Sequence, residues 1–149
     1  MPLKPMTYTT TLDAPLEATY QTVYDQQLKY FQHFDPSITE LVPGEVIESQ
    51  MRTKVQQEQV PTQVEVTAIT ADAAIETKVS YSQGEITVGY RFEAAESGTR
   101  VTYSELNSFN KNSLTTNFWF VGWLYTFMYK RNLKKRMAVI EQLALKAAK

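Results

Sequence analysis

The feature that most constrains the fold is a long helical stretch at the C-terminal end, free of proline and of strand-like alternation. It runs from about Ser113 to Lys149 and follows strand-like stretches that end at Asn107. Its first half is an aromatic block, residues 118–129, with the sequence FWFVGWLYTFMY. Such a block is apolar on all sides, so other elements must cover it. The pattern predicts a sheet that curls around this helix and can leave a cavity beneath it.

Alternation of side chains predicts seven strands before the helix. They are Met6–Leu12, Glu45–Ser49, Thr53–Gln57, Thr62–Ile69, Ala74–Tyr81, Gly84–Ala94 and Thr99–Asn107. Short breaks between them favour antiparallel hairpins. Helical spacing starts near Pro15 and ends near Pro36, and we predict two short helices between the first two strands. The expected fold class is α+β: one domain, residues 1–149, with a curved seven-stranded antiparallel sheet around a helix spanning roughly 113–147.

Composition limits the classes of function. The chain has no cysteine, which excludes disulfides, thiolate chemistry and zinc–thiolate sites. It has one histidine, His33, and neither a metal-ligand spacing, a Gly-x-Ser-x-Gly motif nor a Walker loop. We therefore expect no cofactor and no metal, and an enzyme is the weaker interpretation. Residues 1–6 lack the apolar core of a signal peptide, and the longest apolar run is about twelve residues. A cytoplasmic protein is expected.

The net charge of −1 conceals an asymmetry, because residues 130–149 have a balance of +6 and residues 1–129 a balance of −7. We interpret the basic end as a solvated helix face that complements the helix dipole, the alternative being an anionic membrane surface. Its members are Lys130, Arg131, Lys134, Lys135 and Arg136. The inward face of the same turns is predicted to consist of Leu133, Met137 and Ile140. Arginine–aromatic interleaving of the RNA-binding type is absent, so we expect no nucleic-acid partner.

The same alternation predicts which strand residues face the helix. Val101, Tyr103 and Glu105 share one face of the last strand. If Tyr103 faces the helix, Glu105 faces it too, and a buried carboxylate needs partners or a raised pKa. The alternative places Glu105 at the strand end, in water near the mouth of the cavity.

Several short segments resemble the START/Bet v 1-like (SRPBCC) superfamily, and within it an uncharacterised bacterial branch. They are Thr11–Leu16, Leu41–Gly44, Gly98–Glu105 and Tyr129–Arg131. The resemblance covers nearly the whole chain and implies the helix-grip fold, with a hydrophobic cavity between helix and sheet. Members of that superfamily bind lipids, sterols and hormones, and others are enzymes, so the fold does not determine the function. The candidate ligand-binding residues are Tyr8, Tyr81, Tyr90, Phe92, Tyr103, Phe118, Tyr125 and Tyr129, with Glu105 near the polar end.

Three functional hypotheses follow. The first is a binding protein for a small apolar, aromatic or lipid-like molecule. The second is a cofactor-free cyclase or hydrolase-like enzyme that uses Glu105, a tyrosine and His33. The third is a protein–protein interaction module in which the aromatic helix surface is exposed, at Phe118, Trp119, Phe120 and Trp123. A homodimer through that surface is a further expectation, and no membrane partner is expected.

Overall fold

The computed structural model describes residues 6–52, 59–81, 84–109 and 115–148, with side chains at all of these except 50–52, 59–60, 107–109 and 115–130. Two helices and six strands make up the described fold. The helices are α1 (Leu16–Phe34) and α2 (Thr115–Ala147). The strands are β1 (Met6–Leu12), β2 (Val46–Arg52), β3 (Gln59–Thr70), β4 (Ala74–Tyr81), β5 (Gly84–Ala94) and β6 (Thr99–Phe109).

All described strands form one antiparallel sheet in the order β1-β6-β5-β4-β3-β2. β1 and β2 therefore occupy opposite edges, and α1, which connects them, must cross the width of the sheet. Its start is held near β6, where the Thr99 hydroxyl donates to the Ala14 carbonyl at 2.8 Å. Its last turns reach β2, where the Tyr30 and Ser49 hydroxyls are 3.0 Å apart.

The α+β class and the antiparallel sheet are confirmed, but the described sheet has six strands where seven were predicted. β2 continues without a break from Val46 to Arg52, and the predicted strand Thr53–Gln57 lies outside the described residues. β3 also passes through Pro61, which was expected to be a break. Its described pairing with β4 begins only at Gln63, so Pro61 requires no donor on that side of the ladder.

The two short helices predicted between the first two strands are instead a single helix. α1 covers 19 residues without a break and ends at Phe34, just before the chain reversal at Pro36. No proline or glycine occurs inside it, so nothing interrupts its backbone hydrogen bonds.

The C-terminal helix closely matches its predicted span. Leu133, Met137 and Ile140 are at most 2% exposed, which confirms the predicted inward face. The side chains of Arg131, Lys134 and Lys135 are exposed, as expected for a solvated face. None of the described helical segments is both long and apolar enough to span a bilayer.

The buried residues form two clusters. One unites α1, α2 and the β1-β6-β5-β4 part of the sheet, through Leu12, Tyr20, Val23, Ile75, Tyr90, Phe92, Val101, Tyr103, Leu133, Met137 and Ile140. The other joins the end of α1 to β2 and β3, through Phe31, Ile38, Leu41, Ile47, Val64 and Val66. Tyr24 of α1 packs against both and accepts a hydrogen bond from the Leu41 amide at 2.9 Å. The sheet thus has an inner face that carries these clusters and an outer face that is largely solvated.

Candidate functional site

β6 supplies the first part of the site, because its alternation places three residues on the inner face. Val101 is 0%, Tyr103 4% and Glu105 8% exposed. The predicted shared face is confirmed, and the alternative that placed Glu105 in water is wrong. A buried carboxylate requires hydrogen-bond donors, since burial without them is costly.

Tyr103 supplies one such donor. Its hydroxyl donates to Glu105 Oε2 at 3.0 Å, a bond that is itself buried. The neighbouring strands add aromatic walls, because Tyr103 lies opposite Tyr90 on β5 and opposite Tyr8 on β1. The Tyr90 and Tyr103 rings meet edge to face with centroids 5.0 Å apart, a favourable arrangement for aromatic pairs.

Arg136 of α2 completes the group; it was predicted as part of the solvated basic face, and its contact with the inner face was not predicted. The residue as a whole is exposed, yet its guanidinium carbon lies 5.6 Å from the centre of the Tyr103 ring. The hydroxyls of Tyr90 and Tyr103 lie close enough to the guanidinium to act on its pKa. The available signal was spacing: Arg136 lies three residues after Leu133 and four before Ile140, which places it beside the inward face. We call Tyr90, Tyr103, Glu105 and Arg136 the polar cluster.

The electrostatics of the polar cluster keep both phenols neutral. Desolvation raises the pKa of Tyr90, and Arg136 opposes this only in part. Desolvation also raises the pKa of Tyr103, and the nearby Glu105 carboxylate raises it further. For Arg136, desolvation acts to lower the pKa, but the two phenol oxygens outweigh it and the pKa is raised. At neutral pH the cluster therefore contains protonated phenols beside a guanidinium cation.

The inner face is covered unevenly on the two sides of the polar cluster. Ile75, Phe92 and Val101, at one end of the sheet, are at most 4% exposed. Toward the other end, four inner-face side chains remain partly exposed: Val79, Tyr81, Ile86 and Val88. They form a continuous set, since Val88 lies opposite Glu105 and Val79 lies opposite Ile86. We call these four residues the open end of the inner face.

A groove of about 830 Å³ lies beyond the open end. It is lined by Phe34, Glu48, Ser49, Pro61, Thr62, Gln63, Ser80 and Tyr81. Tyr81 belongs to both the groove and the open end, and burial raises the pKa of its hydroxyl. Three apolar side chains, Val79, Ile86 and Val88, thus lie between the polar cluster and the groove, and both ends offer hydroxyl groups.

The predicted ligand-binding residues fall into three groups. Tyr90, Phe92 and Tyr103 are buried in the core cluster beside the half-buried Tyr8. Tyr81 lines the groove and Glu105 belongs to the polar cluster. The side chains of the remaining three, Phe118, Tyr125 and Tyr129, lie outside the described residues.

The acid–base pair considered for His33 and Glu105 is not brought together. His33 is exposed at the end of α1, where its ring packs edge-on against Phe34 at 4.9 Å. That end of α1 contacts β2, whereas Glu105 lies on β6, four positions away in the strand order. Four strand spacings correspond to about 19 Å. Among the described residues no group of three or more metal-ligating side chains occurs.

The fold is shared with solved structures of low sequence identity. The Thermus thermophilus protein TTHA0849 aligns with a TM-score of 0.62 at 14% identity and covers 98% of this chain and 100% of its own. Ara h 8.0201 aligns with a TM-score of 0.58 at 11% identity, over 95% of this chain and 94% of its own. Chromobacterium violaceum CV1439 aligns with a TM-score of 0.57 at 12% identity, over 92% and 96%. The fold is therefore Bet v 1-like.

Comparison of the sequence with protein-family models identifies the family. No curated protein matches the chain. The model of a family described as a domain of unknown function, DUF3284, matches residues 6–126. Since that match covers well over half of the chain, the protein belongs to the DUF3284 family.

Proposed function

We propose that this protein binds a small apolar or aromatic molecule in a cavity between the inner face of the sheet and α2. The observation that carries the proposal is the juxtaposition of the open end with the polar cluster. Small-molecule sites are mostly apolar and contain a few placed polar groups, which is the character of this combination. In this proposal the chain is a DUF3284 member of the wider START/Bet v 1-like superfamily.

The partial exposure of the open end supports the proposal, because it concerns inward positions. Val79, Ile86 and Val88 point to the same side of the sheet as the fully buried Ile75 and Phe92. A core without a cavity would cover these positions as completely as their neighbours, since protein interiors are close-packed. In the proposed cavity Val79, Ile86 and Val88 contact the apolar part of the ligand, and Tyr81 stands at its opening toward the groove.

The predicted site residues have distinct roles in this proposal. Tyr8, Tyr90 and Tyr103 form the aromatic wall, and Phe92 supports it by stacking on Tyr90 at 6.2 Å. Glu105 marks the polar end. Phe118, Tyr125 and Tyr129 of α2 stay candidate ligand-binding residues in this proposal.

A neutral fluorescent probe, N-phenyl-1-naphthylamine, tests the proposal. We expect its emission to rise and shift to the blue when it binds the wild-type protein. Val88→Trp places a large ring in the open end and should reduce probe affinity by about tenfold or more, equivalent to about 1.4 kcal/mol. Val46→Trp is the matched control, since Val46 is 44% exposed on the edge strand β2.

The result of the probe titration is decisive in either direction. Binding that is lost in Val88→Trp and kept in Val46→Trp supports the cavity, provided that circular dichroism shows both variants folded. Absence of binding to the folded wild-type protein, or equal binding to both variants, contradicts it. Native mass spectrometry of the purified protein offers an independent measurement, in which a retained small molecule adds a discrete mass.

A cofactor-free enzyme is the second candidate, and the buried Tyr103–Glu105 hydrogen bond favours it. A neutral phenol beside a carboxylate can exchange a proton with a bound molecule. The test is hydrolysis of 4-nitrophenyl esters by the wild-type protein and by Glu105→Gln. Turnover that disappears in Glu105→Gln while probe affinity is unchanged would establish this candidate over simple binding.

The interaction module and the homodimer stay predictions. Both depend on the aromatic surface of Phe118, Trp119, Phe120 and Trp123, whose side chains lie outside the described residues. Size-exclusion chromatography with light scattering measures the oligomeric state directly.

A further inference from the structure

Arg136 differs from the other basic residues of α2 in the position of its charged group. Arg131, Lys134 and Lys135 are exposed on the same turns. The Arg136 guanidinium instead lies against Tyr90 and Tyr103 on the inner face. Among pairs of described side chains, only Arg100 and Glu93 form an ion pair, at 3.7 Å. Arg136 therefore has no described carboxylate at ion-pair distance.

The phenols next to Arg136 do not neutralise its positive charge. Both phenols are protonated at neutral pH, because burial raises the pKa of Tyr90 and that of Tyr103. The oxygens beside Arg136 are therefore neutral, and neutral oxygens are weaker acceptors than a carboxylate. A guanidinium carries five donors in a planar fork, so even if both phenols accepted from Arg136, donors would remain for a further acceptor.

Tyr90 provides a second donor at the same place. Its hydroxyl lies close to the Arg136 guanidinium, which acts to lower its pKa, and the described side-chain hydrogen bonds include none that it donates. Tyr103 is different, since its proton is already donated to Glu105. One cationic donor and one neutral donor therefore adjoin each other beside an apolar surface.

We propose that Arg136 and Tyr90 form an oxyanion-recognition point, so that the ligand of this cavity is an apolar molecule with a carboxylate or comparable oxyanion. The inference rests on the proposed function and adds the chemical class of the ligand to it. Bidentate recognition of a planar anion is the characteristic use of arginine. The ligand lies with its anionic group at Arg136 and its apolar body along Val88 and Ile86.

Glu105 limits where that anion can be placed. Its carboxylate lies next to Tyr103 and repels a second negative charge, so the anionic group must approach from the side of Tyr90 and Arg136. The two charged residues therefore act on an anionic ligand in opposite directions. This opposition separates an electrostatic role of Arg136 from a merely structural one.

Two probes with the same ring skeleton test the inference: neutral N-phenyl-1-naphthylamine and its sulfonate, 8-anilino-1-naphthalenesulfonate. We expect the wild-type protein to bind the sulfonate more tightly than the neutral probe. Arg136→Gln should weaken sulfonate binding by about tenfold or more and change neutral-probe binding little, as expected for the loss of a charge-assisted hydrogen bond. Glu105→Gln should strengthen sulfonate binding, because it removes the repelling charge and keeps an acceptor for Tyr103.

Lys135→Gln is the matched control, because it removes the same charge from an exposed position one residue away. It should leave the affinities for both probes near the wild-type values. If Arg136→Gln and Lys135→Gln weaken sulfonate binding equally, the effect is general surface charge and the inference is overturned. Equal loss of both probes in Arg136→Gln also overturns it, since that result indicates a structural role.

The two probes distinguish an error in this inference from an error in the proposed function. If the neutral probe binds and the sulfonate gains nothing from Arg136, the cavity stands and the oxyanion point does not. If the neutral probe fails to bind while sulfonate binding depends on Arg136, the oxyanion point stands without an apolar cavity. If neither probe binds to folded protein, both proposals are wrong.

Discussion

At the residue scale, alternation and helical spacing predicted which positions face inward, but not the direction in which the end of a long charged side chain turns. Val101, Tyr103 and Glu105 were placed correctly on one face because a strand offers only two directions. Arg136 is exposed as predicted, but the contact of its guanidinium with the Tyr103 ring was not predicted. Residue type alone does not reveal that contact, since it depends on phenols contributed by β5 and β6.

Ile140 provides a test of packing at this scale. It is 0% exposed and belongs to the cluster that joins α2 to the sheet. Ile140→Ala should lower the free energy of unfolding by roughly 2–5 kcal/mol, because it removes buried methyl groups and leaves a cavity. Val139→Ala, at a position that is 54% exposed, should change it by only about 0.5 kcal/mol. Urea denaturation of both variants measures the difference, and equal losses would contradict the described face of α2.

At the scale of elements, the sequence predicted helix and strand types well and their continuity less well. β1, β4 and β5 have the predicted limits, because alternation and turn residues agree there. Pro61 was read as a break since proline lacks an N–H, but its effect depends on whether the neighbouring strand extends that far. The local sequence does not contain that information. The division of α1 into two helices had no breaking residue to support it.

A substitution at Gly98, in the link between β5 and β6, tests how closely this link approaches the end of β1. Its φ is +95°, and a Cβ there would overlap with the Leu12 carbonyl oxygen at the end of β1. Gly44, with a φ of +99°, has no atom within 4 Å of such a Cβ. Both alanine variants incur the cost of a positive φ, about 1–2 kcal/mol. Gly98→Ala should therefore unfold at a clearly lower temperature than Gly44→Ala, and equal melting temperatures would contradict the contact with β1.

At the scale of the whole molecule, the inner face has a closely covered part, which carries the two clusters, and a less covered part at the open end. Hydrophobic patterning predicted a sheet around a helix, but it could not predict which end would be more completely packed. That property depends on where α1 and α2 cross the sheet, and on contacts between residues distant in sequence. The strand residues of the candidate site share a face because of alternation, whereas the groove and the contact of Arg136 with Tyr103 depend on tertiary packing.

The buried phenols also affect the stability of the whole protein at alkaline pH. The pKa of Tyr103 is raised above 10.0, the value of an exposed tyrosine. Above pH 10 the unfolded chain loses that proton while the folded protein keeps it, so the free energy of unfolding falls as pH rises. The contribution of Tyr103 to this fall is about 1.4 kcal/mol per pH unit. Below pH 10 its contribution to stability is fully present.

Tyr103→Phe should therefore show a shallower loss of stability between pH 10 and about pH 11.5 than the wild-type protein. Urea denaturation at a series of pH values measures the slope. Tyr30→Phe is a suitable control, because Tyr30 is 43% exposed. Identical slopes for the wild-type protein and Tyr103→Phe would show that Tyr103 ionises in the folded state as it does in the unfolded chain.

The pairing of β1 with β6 has a consequence for synthesis. Residues 6–12 make their sheet contacts with residues 99–105 and with no other described strand. At about 5–20 residues per second, the ribosome needs several seconds to supply that partner. During this interval the strand has unsatisfied backbone groups that could pair with another nascent chain. The threonine side chains that alternate along it, Thr7, Thr9 and Thr11, are exposed in the folded protein. They keep one side of the waiting strand polar, which limits hydrophobic association through that side before translation reaches β6.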